Sequence, residues 1–516
     1  MSSQSFIAFV SPADSHNQLL IDRVHPQDWI NPEPADCYDL VVIGAGTTGL
    51  VVAAGATGLG LGLKVALIEK QLMGGDCLNF GCVPSKALIR SSRVIGELQR
   101  ANTLGIQVAP EAIAVDFAAV MERLRKVRAG MSVHDSAQRF QALGVDVFLG
   151  QACFCDRNTI QVGEATLKFR KAVIATGARA TYPNIEGLEA SGFLTNETVF
   201  SLSNCPRRLA VIGGGPIGCE LAQAFQRLGS QVTLFQRRSQ LLPKEDFEAA
   251  EVIQNQLRAD GVQVCLSAEI TRIERTASGK LITFRQEGRE SVLEVDEILV
   301  GTGRSPNVQD LNLEAVGVDY DSVHGVKVND YLQTTNPKIY AAGDVCSPWK
   351  FTHAADAAAR IVIKNALFSP FGLGKSKVSD LIIPRVTFTD PEVAHVGLSE
   401  TAARHQGIAI ATITIPLDQV DRTVLDGETA GFIRIHHQPN SDKILGATIV
   451  APHAGEMISE VTTAIANQLG MSALSSVIHP YPTQAEGIKK AADNYRRTLL
   501  TPMTKQLLKL LMIFSK

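Results

Sequence analysis

The chain spells one structural phrase twice, about 170 residues apart, and that repetition narrows its fold more than any other feature. An apolar run at 40–43 enters Gly44-Ala45-Gly46-Thr47-Thr48-Gly49, small residues follow, and a second apolar run at 65–68 is closed by Glu69. Later, a run at 209–212 enters Gly213-Gly214-Gly215-Pro216-Ile217-Gly218, with helical residues through Phe225 and a second run at 232–235. Each reads as strand, glycine turn, helix, strand, the building unit of a parallel dinucleotide-binding sheet. The first glycine makes the turn, the second admits a pyrophosphate to the backbone, and the third lets helix pack on strand. The phosphates then meet unpaired N–H groups at the helix N-terminus. Gly44, Gly46 and Gly49 form one such cradle; Gly213, Gly215 and Gly218 form the other.

The two units differ where the second strand ends. Glu69 lies 20 residues after Gly49, where a carboxylate can accept both hydroxyls of an adenosine ribose. The later unit carries Gln236-Arg237-Arg238 instead. A neutral residue removes repulsion against a 2′-phosphate, and Arg237 and Arg238 can make charge-assisted contacts with it, so NADPH is preferred over NADH.

At 516 residues the chain is too long for one core, and domains of roughly 100–200 residues predict three or four. Its 45% apolar content and 42 glycines fit an α/β protein with many tight turns. A net charge of −3 without a dense Lys/Arg run excludes a nucleic-acid backbone binder. Nine cysteines without dense, even spacing point to a reducing compartment, read here as the cytoplasm. The N-terminus lacks a basic n-region, and its apolar stretch 6–10 is shorter than a signal-peptide core. Residues 1–37 show no sustained periodicity and read as an extension on or off the folded body. The stretch 371–380, FGLGKSKVSD, reads as a linker. Beyond it, short β-branched runs over 386–450 and a helical pattern at 455–469 predict an α+β domain.

The strongest chemical signal follows Glu69: Gly74-Gly75-Asp76-Cys77-Leu78-Asn79-Phe80-Gly81-Cys82-Val83-Pro84-Ser85-Lys86. In a regular helix, residues five apart have Cα atoms about 8–9 Å apart, beyond the roughly 7 Å limit of a disulfide. Cys77 and Cys82 can therefore pair only if the first turn is distorted. A helix N-terminus would also lower the pKa of the thiol seated there. The competing readings are a zinc half-site, for which no second ligand pair stands nearby, and two inert buried thiols. The other seven cysteines, Cys37, Cys153, Cys155, Cys205, Cys219, Cys265 and Cys346, show no ligand spacing beyond Cys153-x-Cys155 and read as structural.

This segment resembles the redox-active stretch of the class I pyridine nucleotide–disulfide oxidoreductases, the family of glutathione reductase, dihydrolipoamide dehydrogenase and mercuric reductase. The likeness runs from about residue 38 to 497. It includes Ala175-Thr176-Gly177, Gly301-Thr302-Gly303-Arg304 and Ala342-Gly343-Asp344 in family order. The resemblance implies an α/β fold of two Rossmann-like domains plus a C-terminal α+β dimerisation domain. Its parts are an N-terminal extension (1–37), a first FAD segment (38–190), an NADPH domain (191–308), a returning FAD and central segment (309–372), an interface domain (381–497) and a tail helix (498–516). It assigns Gly44, Gly46, Gly49, Glu69, Lys70, Gly75, Thr176, Gly177, Arg304 and Asp344 to FAD, and Gly213, Gly215, Gly218, Arg237, Arg238 and Gly303 to NADPH. Lys86 is paired with Glu220 beside the flavin. Electrons run from NADPH to FAD to the disulfide, with Cys82 facing the flavin and Cys77 meeting the acceptor.

The family usually supplies an acid/base histidine five residues before a C-terminal glutamate, from the partner subunit of a homodimer. Here the sequence is His479-Pro480-Tyr481-Pro482-Thr483-Gln484-Ala485-Glu486, so Tyr481 holds that place, with His479 two residues earlier as the alternative acid/base and Glu486 as the glutamate. A phenol with a pKa near 10 is a poor shuttle for dithiol exchange at neutral pH. Tyrosine there resembles mercuric reductase, in which a thiolate pair holds the substrate metal, here transiently Cys77 and Cys82. The N-terminal Cys-x-x-Cys domain and terminal vicinal cysteines of that enzyme are absent. The expected activity is reduction of a thiol-reactive acceptor such as Hg(II). The alternatives are a disulfide reductase and a redox-sensing or metal-sequestering flavoprotein. In the tail, Leu507, Leu510, Leu511 and Phe514 share one helical face, with Lys505, Lys509 and Lys516 nearby. Packing on the protein's own surface or contact with a membrane surface would use that face.

Overall fold

Both glycine-turn units fold as parallel sheets. The computed structural model describes residues 10–109 and 112–515. In the first unit, Tyr38–Ile43 pairs in parallel with Val65–Glu69 on one side and Ala165–Ile174 on the other, and Val145–Leu149 extends the sheet. Ile339–Ala341 returns after the whole second unit to pair with Ala165–Ile174. Tyr38–Ile43 and Val65–Glu69 are buried along almost their whole length because both faces of the sheet are covered, one by Thr47–Thr57 and Thr352–Leu367 and the other by the strands Ala152–Asp156 and Thr159–Val162. The helix Thr47–Thr57 packs against Thr352–Leu367 so closely that a Cβ on Gly55 would lie 2.5 Å from Ile363 Cδ1.

In the second unit, Arg208–Ile212 lies between Gln231–Gln236 and Glu297–Val300, with Gln263–Leu266 outermost, all parallel. A three-stranded antiparallel sheet of Ala268–Arg275, Lys280–Gln286 and Arg289–Val295 is inserted before the last of these strands. The third unit is a five-stranded antiparallel sheet in the order Arg385–Thr387, Glu392–Gly397, Ile444–Ala451, Phe432–His437, Ala411–Pro416. The buried Arg227 guanidinium joins the second and third units, pairing with Asp260 at 2.9 Å and Asp390 at 2.8 Å.

At the two ends of the chain the structure chooses between alternatives that the sequence leaves open. Within the N-terminal extension, Ser15–Val24 is a helix capped by the Asp14 side chain, which accepts from Asn17 N. Leu20, Ile21 and Val24 enter the core of the first unit, a stripe of less than two turns that is too short to register as periodicity. Trp29 Nε1 donates to Val147 O, and the Asn31 side chain brackets Leu149, so this stretch covers the edge strand Val145–Leu149. The wholly buried Arg128 donates to Asn17 Oδ1 at 2.6 Å and to the carbonyl of Asn79 at 2.8 Å. At the other end, the helix Pro502–Phe514 has no buried side chain, so packing on the chain's own surface does not occur. Lys516 lies outside the described residues.

Candidate active site

The chain resolves the spacing problem of Cys77 and Cys82 by breaking the helix outright. Gly75–Asn79 and Cys82–Arg100 are separate helices, with Phe80 and Gly81 leaving helical geometry between them. A Cβ on Gly81 would lie 2.8 Å from Asp76 O, so only glycine allows the break to close this tightly. The two cysteines are free thiols joined by a hydrogen bond. Cys82 is the first residue of its own helix, and its Sγ lies 3.4 Å from Oγ1 of Thr352, the first residue of Thr352–Leu367. Two helix N-termini thus converge on one sulfur, and both favour its anion. The hydrogen bond from Cys77, followed by Thr352 and the Lys86 charge, outweighs burial and draws Cys82 down to about 6. The same hydrogen bond, with burial, pushes Cys77 up. The pair is therefore poised to hold one proton, with the negative charge on Cys82.

Lys86, one helical turn beyond Cys82, donates to Glu220 Oε2 at 2.8 Å. Its Nζ also stands 4.5 Å from the centre of the Phe388 ring. Glu220 is buried, and its other oxygen accepts from Phe388 N at 2.8 Å, which ties the third unit to the redox helix. On the opposite side, Asp76 accepts from Asn196 Nδ2 at 2.7 Å and from Arg304 Nη1 at 2.8 Å. Arg304 Nε lies 3.6 Å from Asp344 Oδ2 and has no hydrogen-bond partner. Burial pushes the Asp344 carboxyl up, partly offset by Arg304 and Lys350. Thr352, Phe388 and Asn196 had no motif to announce them, and Asp76 stands in the cysteine motif without its partners being announced. Their partners lie more than 100 residues away in sequence, and only the fold brings them in.

The first cradle fits the nucleotide end of FAD. Gly44 has φ +101°, and a Cβ on Gly49 would lie 1.8 Å from Gly44 O, so the turn and the helix approach demand glycine at both places. Glu69 is buried, its carboxylate accepting from Ala45 N and Gln71 N, both at 2.7 Å. Burial nevertheless pushes its pKa up. Gly75, at φ +57°, brings the redox loop over the cradle: a Cβ there would lie 2.6 Å from Gly46 Cα. Thr176 and Asn307 exchange two hydrogen bonds, and Gly177 O accepts from Asn307 N, which anchors the crossing between the first two units. Lys70 is exposed beside Glu69.

The second cradle repeats the backbone. Gly213 has φ +113°, and a Cβ on Gly218 would again lie 1.8 Å from the first glycine's oxygen. Gln236 is buried at the strand end, while Arg237 and Arg238 are exposed and lack an ion-pair partner among the described residues. Gly303 O accepts from Thr181 N at the crossing ribbon, next to Arg304.

The C-terminal groups sit apart from the cysteines. His479 is enclosed, its Nε2 2.9 Å from Glu460 Oε1, and its buried Nδ1 has no partner. Tyr481 is 70% exposed and donates to Asp421 Oδ2 at 3.0 Å, and that carboxylate pushes its pKa up. Glu486 opens the helix Glu486–Thr498 with one buried oxygen unpartnered. Among the described residues of one subunit, no hydrogen bond or ion pair links these three to Cys77 or Cys82.

Residues 38–359 match the family described as pyridine nucleotide-disulphide oxidoreductase, and residues 383–492 match its dimerisation domain. The chain is a pyridine nucleotide-disulphide oxidoreductase. Members of this family bind FAD and NAD(P)H, and the oxidoreductase has the glutathione reductase fold with a domain for homodimer formation. A mercuric reductase of Lysinibacillus sphaericus is 37% identical over 464 residues, covering 90% of this chain and 84% of that protein. A dihydrolipoyl dehydrogenase of Chlamydia trachomatis is 33% identical over 460 residues, covering 87% and 95%. Among solved structures, the HOCl-induced flavoprotein disulfide reductase RclA from Escherichia coli is 28% identical with a TM-score of 0.77, covering 88% of this chain and 99% of that one.

Proposed function

We propose that this oxidoreductase uses NADPH to reduce a thiol-reactive metal ion, Hg(II) foremost, at the Cys77–Cys82 pair, and that it works in the cytoplasm. The observation that carries this reading is the pair of C-terminal side chains. Tyr481, five residues before Glu486, is exposed, whereas His479 is enclosed against Glu460. If the homodimer shares its active sites as the family resemblance implies, Tyr481 and not an imidazole would be presented to the partner subunit's cysteine pair. Thiol–disulfide exchange needs a proton shuttle near neutrality, which a phenol with a raised pKa does not supply. Reduction of a metal ion held by two sulfurs needs two electrons and no proton at the metal. A soft ion such as Hg(II) suits thiolate ligands.

FAD, when bound, would supply the two-electron transfer that links the nicotinamide to the disulfide. Gly44, Gly46, Gly49, Glu69, Gly75, Thr176, Gly177 and Asp344 would hold it, with Lys70 and Arg304 at the margins. Lys86, braced by Glu220, holds positive charge one turn from Cys82. Cys82 keeps the negative charge of the reduced pair, and Cys77 keeps its proton until a metal displaces it. Gly213, Gly215, Gly218 and Gly303 would admit the nucleotide, with Arg237 and Arg238 contacting its 2′-phosphate.

A small-disulfide reductase is the second reading, supported by the dihydrolipoyl dehydrogenase relatives. Steady NADPH oxidation with Hg(II) in excess thiol, and none with lipoamide or oxidised glutathione, is the expected result; the opposite pattern overturns the metal reading. Stoichiometric reduction that then stops with every acceptor would identify a sensor or sequestering protein. In Cys77→Ser, NADPH should still bleach the flavin while acceptor turnover falls by at least about 1000-fold.

A further inference from the structure

We infer that the helix Pro502–Phe514 is an interfacial anchor that lies on anionic lipid surfaces. The helix is capped by the Thr501 side chain, which accepts from Thr504 N, so its start is locally fixed. Every one of its large apolar side chains is exposed: Met503, Leu507, Leu508, Leu510, Leu511, Met512, Ile513 and Phe514. At 100° per residue, all but Ile513 fall within an arc of about 200°. Lys505, Gln506 and Lys509 occupy the remaining arc with Ile513.

That width helps to identify the occupant. A single partner helix buries only a narrow seam, so a second copy of this helix would leave much of the apolar arc in water. A helix lying in the headgroup plane immerses about half its circumference. Charge points the same way. Residues 494–516 contain Arg496, Arg497, Lys505, Lys509 and Lys516 and no acid, in a chain of net −3, so the rest of the molecule carries −8. Two such segments repel each other, whereas an anionic leaflet attracts each of them. The helix is about 20 Å long, and no described helix is long and apolar enough to cross a membrane, so it lies on the surface.

The test is flotation of the full-length FAD-loaded enzyme with vesicles of phosphatidylglycerol and phosphatidylcholine in equal parts, beside vesicles of phosphatidylcholine alone. The expected result is flotation with the anionic vesicles, weakened by high salt, and little with the neutral ones. K505Q/K509Q should bind about 25-fold more weakly, at roughly fivefold per lysine. L507E/L511E and a chain ending at Leu500 should not float, with NADPH oxidation unchanged. Absence of flotation of the full-length enzyme with either vesicle overturns the proposal. So does equal flotation of the shortened chain. A shortened chain that sediments as a monomer, from a full-length dimer that does not float, would assign the face to the subunit interface instead.

Discussion

The two nucleotide cradles share a backbone and differ in what stands over it. Gly46 and Gly215 cap their helices with nearly identical angles, φ −78°, ψ −171° and φ −79°, ψ −177°. Yet a Cβ on Gly46 would meet Gly75 Cα at 3.7 Å, while one on Gly215 would meet nothing within 4 Å. The first cradle is roofed by the loop that carries Cys77; the second is open. The strand ends follow suit, a buried glutamate tied to two backbone N–H groups in one and two exposed arginines in the other. On the proposed assignment, one sequence motif would serve both a cofactor that stays and a substrate that comes and goes, with the neighbours deciding which.

The sharpest way to break this comparison is to place the same methyl on either side of it. Gly75→Ala drives a Cβ to 2.6 Å from Gly46 Cα at a positive φ. It should cost more than about 3 kcal/mol and yield little flavin-loaded protein. Gly215→Ala should keep its full flavin content and thermal midpoint, and raise only the nucleotide KM. Flavin absorbance per protein and a melting curve check both, and normal flavin content in Gly75→Ala would remove the roof from the account. Next in size, Arg237→Ala/Arg238→Ala should lower kcat/KM for NADPH by about 10- to 100-fold and leave that for NADH nearly unchanged. Equal losses with both nucleotides would mean that the open cradle does not read the 2′-phosphate through these arginines.

The smallest effect lies under the roof. Because Cys82 is drawn down to about 6, its thiolate is present above that pH and is lost as pH falls through it. Alkylation of Cys82 in the NADPH-reduced enzyme, followed by mass spectrometry, should therefore rise through about pH 6 and level off. Thr352→Val removes a hydroxyl that favours the anion and should move the midpoint upward by about one unit. An unmoved midpoint would leave Cys77 and Lys86 as the working partners.

What could be read in advance was whatever the backbone demands locally. Gly44, Gly49, Gly213 and Gly218 stand at fixed offsets because a turn and a helix approach allow nothing larger, and Cys77 with Cys82 needed a broken helix that Gly81 supplies. Glu69 was legible from its distance to the turn. The surroundings of the sulfurs were not: Thr352 is 270 residues from Cys82, and Arg304 is 228 from Asp76. Such contacts are set by how units pack, and no spacing in the sequence encodes them. The N-terminal helix escaped for the opposite reason, since its apolar stripe is too short to stand out from a mixed stretch.

Arg128 has a consequence for the order in which this protein can be made. Its two donors hold Asn17 and Asn79, residues 111 and 49 positions earlier. A growing chain exposes both reactive cysteines well before that arginine leaves the ribosome, and through this interval the clamp on their loop is missing. The same dependence warns against trimming the protein to begin at Tyr38, where the family match starts. That edit would remove Asn17 and leave one arm of a buried cation without its acceptor, on the far side of the segment that carries the chemistry.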